Sequence, residues 1–246
     1  MRVNIITPVY NAENSITETY GSIKNQTHCD WQWILVDDNS TDNSYEICSQ
    51  IAASDARIML LKNGGLKGAG GARNYGLRYV SSTIITFIDA DDVWDKSFLS
   101  EMLPYVQDTS SMAFSGYYRR KGQVCKPFIP KKRLTFSDLF RGSDISCLTS
   151  IYHFQNIDEI PNFGEIRARN DLVFNLRALQ IIPFAEPVGK ALATYNLNMG
   201  SISRNKFKLI YWQYFVSRMF GRSKIKSVID VICWATYGFK KYFNVR

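Results

Sequence analysis

The stretch IITFIDADD, residues 84–92, places three carboxylates directly after a mostly apolar run. Such a run is typical of a buried β-strand, so Asp89, Asp91 and Asp92 would lie together at its carboxyl end. Clustered carboxylates repel each other unless a cation lies between them, and oxygen ligands of this kind suit Mg²⁺ or Mn²⁺. The alternative is an acidic turn before a helix near Ser97, because Asp favours turns and helix starts. The stretch alone leaves both interpretations open.

Strand and helix patterns alternate through the residues that precede this stretch. Apolar runs predict strands at 3–9, 33–36 and 58–61, and helical spacing predicts helices at 14–25, 39–53 and 72–80. Alternation of this kind predicts an α/β fold with a mainly parallel sheet and helices on both faces. Such sheets bind ligands at the carboxyl ends of their strands. Because Asp37-Asp38 also ends a predicted strand, we expect it to share a site with the 89–92 cluster.

Length and composition fit one large α/β domain with an appendage. The chain has 246 residues, of which 46% are hydrophobic, which is ample for a packed core. Its five cysteines are scattered without a Cys-x-x-Cys pair, which argues against a disulfide framework or zinc site and favours a reducing cytosol. We expect neither a signal peptide nor a transmembrane helix.

The net charge of +8 is unevenly distributed. Residues 204–246, here called the tail, carry ten Lys or Arg and one acid, which leaves a charge of −1 for residues 1–203. Aromatic residues interleave with these cations, and we expect a basic amphipathic helical segment that binds an anionic membrane surface. Binding of nucleic acid by charge and stacking is less favoured, because no nucleic-acid motif is present. Packing of the tail on the domain or on a second subunit is a further alternative.

A glycine-rich loop at residues 64–71 precedes a predicted helix that carries Arg73 near its start. Backbone N–H groups of such a loop can cradle phosphates, although the loop matches neither a P-loop nor a dinucleotide fingerprint. A cation at a helix start opposes the helix dipole, so Arg73 favours an anionic or stacking partner, or is simply a surface residue.

Five short blocks occur in order along the chain. They are ITPVYN at 6–11, QT at 26–27, ILVDDNSTD at 34–42, GARNYG at 71–76 and FIDADD at 87–92. Together they resemble family 2 glycosyltransferases of bacterial polysaccharide synthesis, which have the GT-A fold. The resemblance covers roughly residues 3–105 and weakens beyond. It implies a GT-A domain at 1–203, with a nucleotide-binding half at 1–105 and an acceptor-binding half at 106–203, followed by the helical tail.

The resemblance implies a role for each matching residue in binding a nucleotide sugar. The residues expected to line the nucleoside pocket are Thr7, Pro8, Tyr10 and Asn11. Asp38 would hold the uracil or its ribose, and Arg73 would lie beside the base and phosphates. The Asp-x-Asp motif would be Asp89-Ala90-Asp91, with Asp91 as the direct ligand of Mn²⁺ or Mg²⁺, Asp89 next and Asp92 in support.

The family also uses a carboxylate base, usually the second residue of a Glu-Asp pair that opens a helix. The best match is Asn170-Asp171, so Asp171 is the expected catalytic residue, and Glu165 is the alternative. Asn170 departs from the family pattern. The reaction implied is a single inverting displacement, in which the base accepts a proton from the acceptor hydroxyl.

The predicted function is therefore transfer of a hexosyl or N-acetylhexosaminyl group from a UDP-sugar to a lipid-linked or oligosaccharide acceptor. The enzyme would be cytoplasmic and peripheral at the inner face of the cell membrane. A nucleotidyltransferase would carry a basic, glycine-rich loop after its first strand, whereas residues 10–13 read Tyr-Asn-Ala-Glu. The remaining alternative is a non-catalytic basic module that binds membrane or nucleic acid.

Overall fold

The computed structural model describes residues 1–121, 123–124, 127–142, 145–196 and 206–243. Strands and helices alternate in the first hundred residues, as the sequence predicts. The elements are β1 (Val3–Val9), α1 (Ile16–Lys24), β2 (Trp31–Asp37), α2 (Ser44–Ser54), β3 (Ile58–Lys62), α3 (Ala69–Leu77), β4 (Ile84–Phe87), β5 (Val93–Trp94) and α4 (Phe98–Met102).

The second half is less regular and ends in two long helices. Its elements are β6 (Ser111–Lys121), β7 (Gln123–Val124), α5 (Phe136–Leu139), β8 (Ser150–His153), α6 (Asn170–Ile181), β9 (Ala185–Asn196), α7 (Lys206–Met219) and α8 (Lys224–Phe243). The predicted boundary at residues 203 and 204 lies outside the described residues.

One mixed sheet with the strand order β3-β2-β1-β4-β8-β6-β9-β5 organises the described residues, and β7 pairs with β6. The first four strands of this order are mutually parallel, and β8 joins β4 in the antiparallel sense. Val9 is in register with Asp37, and Ile6 is in register with Phe87. The segments after β1, β2 and β4 therefore meet at the same edge of the sheet.

Helices cover both faces of the sheet, as expected. On one face, Ile23 of α1 and Phe98 of α4 belong to a buried cluster with side chains of the central strands. On the other face, Ala72 of α3 and Val173 of α6 belong to a second buried cluster. The prediction of a mixed α/β sheet between helices is therefore confirmed.

Helix α3 begins at Ala69, three residues before the predicted start, so part of the glycine-rich loop lies inside the helix. A Cβ on Gly71 would lie 1.8 Å from the backbone oxygen of Leu66, and a Cβ on Gly70 would lie 2.8 Å from Nδ2 of Asn170. These glycines therefore allow the first turn of α3 to pack against the loop and against the start of α6.

The tail helices pack on the domain as well as on each other. Gln213 of α7 donates a hydrogen bond to the backbone oxygen of Phe140 at 2.9 Å, and Phe220 contacts Phe136 edge to face. Between the two helices, the Ser217 hydroxyl donates to the buried carboxylate of Asp230 at 2.8 Å. The alternative of a tail packed on the domain thus holds for the described helices.

Within this described part of the chain, each helix is too short or too polar to span a membrane.

Candidate active site

The acidic cluster lies in the turn between β4 and β5. Asp92 is only 1% exposed, and its carboxylate accepts a hydrogen bond from the backbone N–H of Asn196 at 2.9 Å. Burial, followed by the neighbouring charge of Asp89, raises the pKa of Asp92 to about 9. Burial beside a second carboxylate therefore disfavours the ionised form of Asp92.

Asn196, the last residue of β9, joins the cluster to the second half of the fold. Its Nδ2 donates a hydrogen bond to the backbone oxygen of Asp91, and its Oδ1 accepts one from Nε of Arg120 at 2.6 Å. Arg120 also forms an ion pair with Glu18 of α1 at 2.8 Å. These contacts fix the backbone of the Asp-x-Asp turn from a residue that is distant in sequence.

Arg73 of α3 is buried and forms an ion pair with Asp89. Its guanidinium lies 5.2 Å from the centre of the Phe163 ring. Burial disfavours the charged form, but Asp89 outweighs this cost, so the pKa of Arg73 is raised. Within the described residues, the buried Nε of Arg73 has no hydrogen-bond partner. The structure thus places Arg73 directly against the first carboxylate of the motif.

The loops after β1 and β2 are tied together by side chains. Asn11, which has a positive φ of 48°, accepts a hydrogen bond from the backbone N–H of Thr41 at 2.8 Å. The backbone N–H of Ala12 donates to Oγ of Ser44 at 2.7 Å. Tyr10, between these contacts, is 60% exposed. The expected nucleoside pocket therefore has an open aromatic ring on a fixed loop.

Thr7 and Pro8 lie inside β1 and are buried. The Thr7 hydroxyl accepts a hydrogen bond from Nε1 of Trp33 at 2.8 Å. The Thr7 side chain therefore packs in the core, and a nucleotide could contact this residue only through the Thr7 backbone.

Asp38 holds the glycine-rich loop against the end of β2. Its carboxylate accepts hydrogen bonds from Nδ2 of Asn63 at 2.6 Å and from the backbone N–H of Gly68 at 2.7 Å. Gly68 precedes α3 and has a φ of 102°, a conformation that favours glycine. Asp38 thus orders the loop that leads to Arg73, in addition to the predicted role toward uracil or ribose.

Asp171 lies in the first turn of α6 and lines a small cavity of about 60 Å³. The residues that line this cavity are Leu139, Ile145, Arg169, Asp171, Leu172 and Trp234. Trp234 belongs to α8, so the tail contributes directly to the surroundings of the predicted base. Glu165, the alternative base, is exposed in the preceding loop and is not among these lining residues.

Arg169 precedes Asp171 and has a left-handed backbone conformation, with φ of 65°. Its guanidinium lies 4.6 Å from the ring centre of Trp234 and donates a hydrogen bond to Oε1 of Gln213. Burial lowers the pKa of Arg169, and the carboxylate of Asp171 opposes that change. Two tail residues therefore hold a cation beside the predicted base.

Arg73 interacts electrostatically with the acidic cluster and also with Asp171, the predicted base. The charges of both Asp89 and Asp171 favour its protonated form. In addition, Asn170 packs against Gly70 in the first turn of α3. Arg73 therefore contacts Asp89 directly, whereas Asp171, next to Asn170 at the start of α6, acts on it only through its charge.

No group of three or more His, Cys, Asp and Glu side chains in the described ranges has the arrangement of a metal site. Asp92 is turned into the protein, which leaves Asp89 and Asp91 as the candidate ligands. Mg²⁺ typically binds one or two carboxylates together with substrate phosphates. Asp89 and Asp91 supply oxygen ligands of this kind on one partly exposed turn, so the residues present fit a divalent cation.

The family "Glycosyl transferase family 2" matches residues 4–170, more than half of the chain. The chain belongs to this family. This family 2 glycosyltransferase is 35% identical over 222 residues to a Bacillus subtilis protein, TuaG, which is named for teichuronic acid biosynthesis; the match covers 88% of this chain and 87% of TuaG.

A second relative has a more specific name. It is the Escherichia coli UDP-Glc:α-D-GlcNAc-diphosphoundecaprenol β-1,3-glucosyltransferase WfgD, with 30% identity over 244 residues, or 98% of this chain and 94% of WfgD.

Among solved structures, S. aureus TarS 1–349 with UDP-GlcNAc has a TM-score of 0.71 at 18% identity, covering 98% of this chain and 73% of that one. The mannosyltransferase PcManGT of Pyrobaculum calidifontis, solved with GDP-Man and Mn²⁺, has a TM-score of 0.69 at 13% identity, over 94% and 68%. These likenesses confirm the GT-A fold of the enzyme.

Several residues around the site could not be assigned from the sequence. Asn196, Gln213 and Trp234 reach it from β9 and the tail, and no local motif marks them. Arg169 is adjacent to the Asn170-Asp171 pair, and this proximity is the signal that could have identified it.

Proposed function

We propose that this enzyme transfers a hexosyl or N-acetylhexosaminyl group from a UDP-sugar to a hydroxyl of a lipid-linked glycan acceptor, with inversion at the anomeric carbon. The observation that carries the proposal is the ion pair between the buried Arg73 and Asp89, which holds the first carboxylate of the Asp-x-Asp motif at the sheet edge. A donor diphosphate bound at that edge would lie close to Arg73, whose charge is also favoured by Asp171, the proposed base.

Donor binding is assigned to the sheet edge formed by the loops after β1, β2 and β4. Tyr10 offers its exposed ring to the base, and Asp38 and Asn11 hold the neighbouring loops in place. The UDP-GlcNAc complex of TarS and the UDP-Glc in the name of WfgD support a UDP-sugar as donor.

Asp91 and Asp89 are the residues proposed to hold Mn²⁺ or Mg²⁺, and Asp92 supports them from the buried side. A divalent cation bound there would act as a Lewis acid that neutralises the charge of the diphosphate leaving group. The Mn²⁺ complex of PcManGT supports this choice of cofactor. Asn196 would keep the Asp-x-Asp turn in position through its contact with the Asp91 backbone.

Asp171 is proposed as the general base, in preference to Glu165, because it lines a cavity at the start of α6. Its carboxylate would accept the proton of the acceptor hydroxyl as that oxygen attacks the anomeric carbon on the face opposite the diphosphate. One displacement of this kind inverts the configuration and requires no covalent sugar–enzyme intermediate.

The acceptor is proposed to be an intermediate of surface polysaccharide assembly at the inner face of the cell membrane. The diphosphoundecaprenol acceptor in the name of WfgD supports a lipid-linked substrate. The tail adds basic residues and an exposed apolar face on α8, which suit peripheral binding to an anionic membrane. Nucleic acid is not proposed as a partner.

Calorimetric titration with UDP in the presence of Mn²⁺ tests the donor and cation assignments together. We expect the native enzyme to bind UDP more tightly with Mn²⁺ than with a chelator, and we expect Asp91→Ala to remove this difference. Asp158→Ala, which deletes an exposed carboxylate in another region, is the control. Equal dependence on Mn²⁺ in the native enzyme and in Asp91→Ala would exclude Asp91 as a ligand.

A further inference from the structure

A second cavity, of about 240 Å³, lies between α5 and the tail. It is called here the basic cavity, and its lining residues are Ser137, Arg141, Arg222, Lys226 and Ile229. Three of these five side chains are cationic, and Ser137 adds a hydroxyl that can donate a hydrogen bond. This composition suits an anion with several oxygen atoms.

The charges of the basic cavity are only partly compensated. Arg222 donates two hydrogen bonds to the buried carboxylate of Asp230, at 2.5 and 2.8 Å, and lies 4.7 Å from the ring centre of Phe140. Arg141 approaches the same carboxylate at 3.9 Å. Asp230 therefore fixes Arg222 in the structure. Asp138 of α5, which pairs with Lys132 at 3.8 Å, is a second carboxylate whose charge interacts with Arg141, and the cations near the cavity outnumber these two acids.

The basic cavity opens beside an apolar surface. The exposed residues Ile225, Val228, Ile229 and Ile232 lie on α8, with between 45% and 75% of each residue accessible. Ile229 belongs to both features, because it also lines the basic cavity. An anion with a hydrocarbon chain would match this pair of surfaces better than a free anion would.

Helix α8 lines both the basic cavity and the cavity that contains the predicted base. Asp230, which holds Arg222, and Trp234, which lines the cavity of Asp171, are four residues apart on this helix. Ile229, which lines the basic cavity, precedes Trp234 by five positions, which corresponds to a rise of about 7.5 Å along the helix. The two cavities therefore adjoin neighbouring turns of α8.

We propose that the basic cavity binds the diphosphate of a lipid-linked sugar acceptor, with the lipid chain along the apolar face of α8 and the sugar directed toward Asp171. This inference rests on the proposed function and assigns the part of the site that recognises the acceptor. Arg141 and Lys226 bind the phosphate oxygens, and the remaining N–H groups of Arg222 face the same anion.

Binding of farnesyl diphosphate to the full-length chain, measured by isothermal titration calorimetry with saturating UDP and Mn²⁺, tests the inference. The double variant Arg141→Gln/Lys226→Gln should weaken binding at least ten-fold, because two charge-assisted contacts are lost. The matched control, Lys208→Gln/Lys224→Gln, removes equal charge from the tail outside the cavity and should bind within about two-fold of the native chain. Both variants change surface residues and retain the Arg222–Asp230 pair.

Three further probes separate the possible sources of affinity. Farnesol lacks the phosphates, inorganic pyrophosphate lacks the lipid, and vesicles of phosphatidylglycerol and phosphatidylcholine present anionic headgroups. We expect each to bind more weakly than farnesyl diphosphate. Pyrophosphate should lose affinity in Arg141→Gln/Lys226→Gln but not in the control, as farnesyl diphosphate does, whereas farnesol and the vesicles should discriminate little between the two double variants. Equal binding of farnesol, equal binding of pyrophosphate, or equal losses in both variants would overturn the proposal. Because binding needs no transfer, this outcome is independent of whether Asp171 proves to be the base.

Discussion

The guanidinium of Arg73 forms an ion pair with the carboxylate of Asp89, which joins the first turns of α3 to the acidic turn after β4. Arg73 is buried, whereas the Asp89 side chain is partly open to solvent. The pair therefore places one carboxylate at the sheet edge in a fixed position with one side free for a ligand.

Removing the cation of this pair should destabilise the enzyme. Arg73→Met leaves Asp89 beside Asp91 and Asp92 without compensation. We expect a loss between about 1 kcal/mol, typical of an exposed pair, and about 3–5 kcal/mol, typical of a buried one. Urea unfolding of this variant, compared with Arg78→Met at the exposed residue that follows the same helix, measures the difference. Equal stability of the two variants would show that the pair contributes nothing.

The raised pKa of Asp92 predicts a pH dependence of stability in the absence of metal. Between the ordinary value of 3.8 and about 9, the folded protein binds a proton more strongly than the unfolded chain does. The free energy of unfolding should therefore decrease as pH rises through this window. Asp92→Asn removes the titration and retains an oxygen that can accept from Asn196.

With a chelator present, thermal unfolding of Asp92→Asn should occur at a higher temperature than that of the native enzyme at pH 8. Each 1 kcal/mol corresponds to about 2–4 °C in a chain of this size. The difference should be much smaller near pH 4, where the native carboxyl is protonated in the folded state and about half protonated in the unfolded chain. A difference that is the same at pH 4 and at pH 8 would contradict the assigned cause.

Arg169 should affect transfer through its contacts with the tail. Arg169→Met removes the hydrogen bond to Gln213 and the cation beside the Trp234 ring, so we expect kcat for sugar transfer to fall while UDP binding in the presence of Mn²⁺ stays near the native value. Arg169→Lys, which keeps a cation beside the ring, should restore part of the rate, and Arg167→Met, at an exposed position, is the control. A native rate in Arg169→Met would show that these contacts are not needed for transfer.

The parts of the fold that were predictable are those encoded by local pattern. The strand at 3–9 agrees with β1, and the carboxylates of 89–92 follow β4 as their sequence position requires. The start of α3 was predicted too late because glycines are poor helix formers, and their close packing against Leu66 and Asn170 is a tertiary effect.

The contacts that complete the site depend on distant residues. Asn196 meets Asp92 from 104 positions away, and Trp234 reaches Arg169 from another helix. Hydrophobic periodicity carries no information about such pairs, so the tail could be predicted as basic and helical but not as a wall of the Asp171 cavity. Thr7 illustrates the reverse case, because its motif position suggests ligand binding while its hydroxyl is bonded to Trp33.

The most direct test of the account is sugar transfer from a UDP-sugar by Asp171→Asn, measured beside Glu165→Gln. With the base removed, we expect kcat to fall by about 10²–10⁴-fold while UDP binding in the presence of Mn²⁺ remains near the native value. Glu165→Gln should transfer at close to the native rate. Native turnover by Asp171→Asn, or a comparable loss in Glu165→Gln alone, would contradict the assignment of Asp171 as the catalytic base.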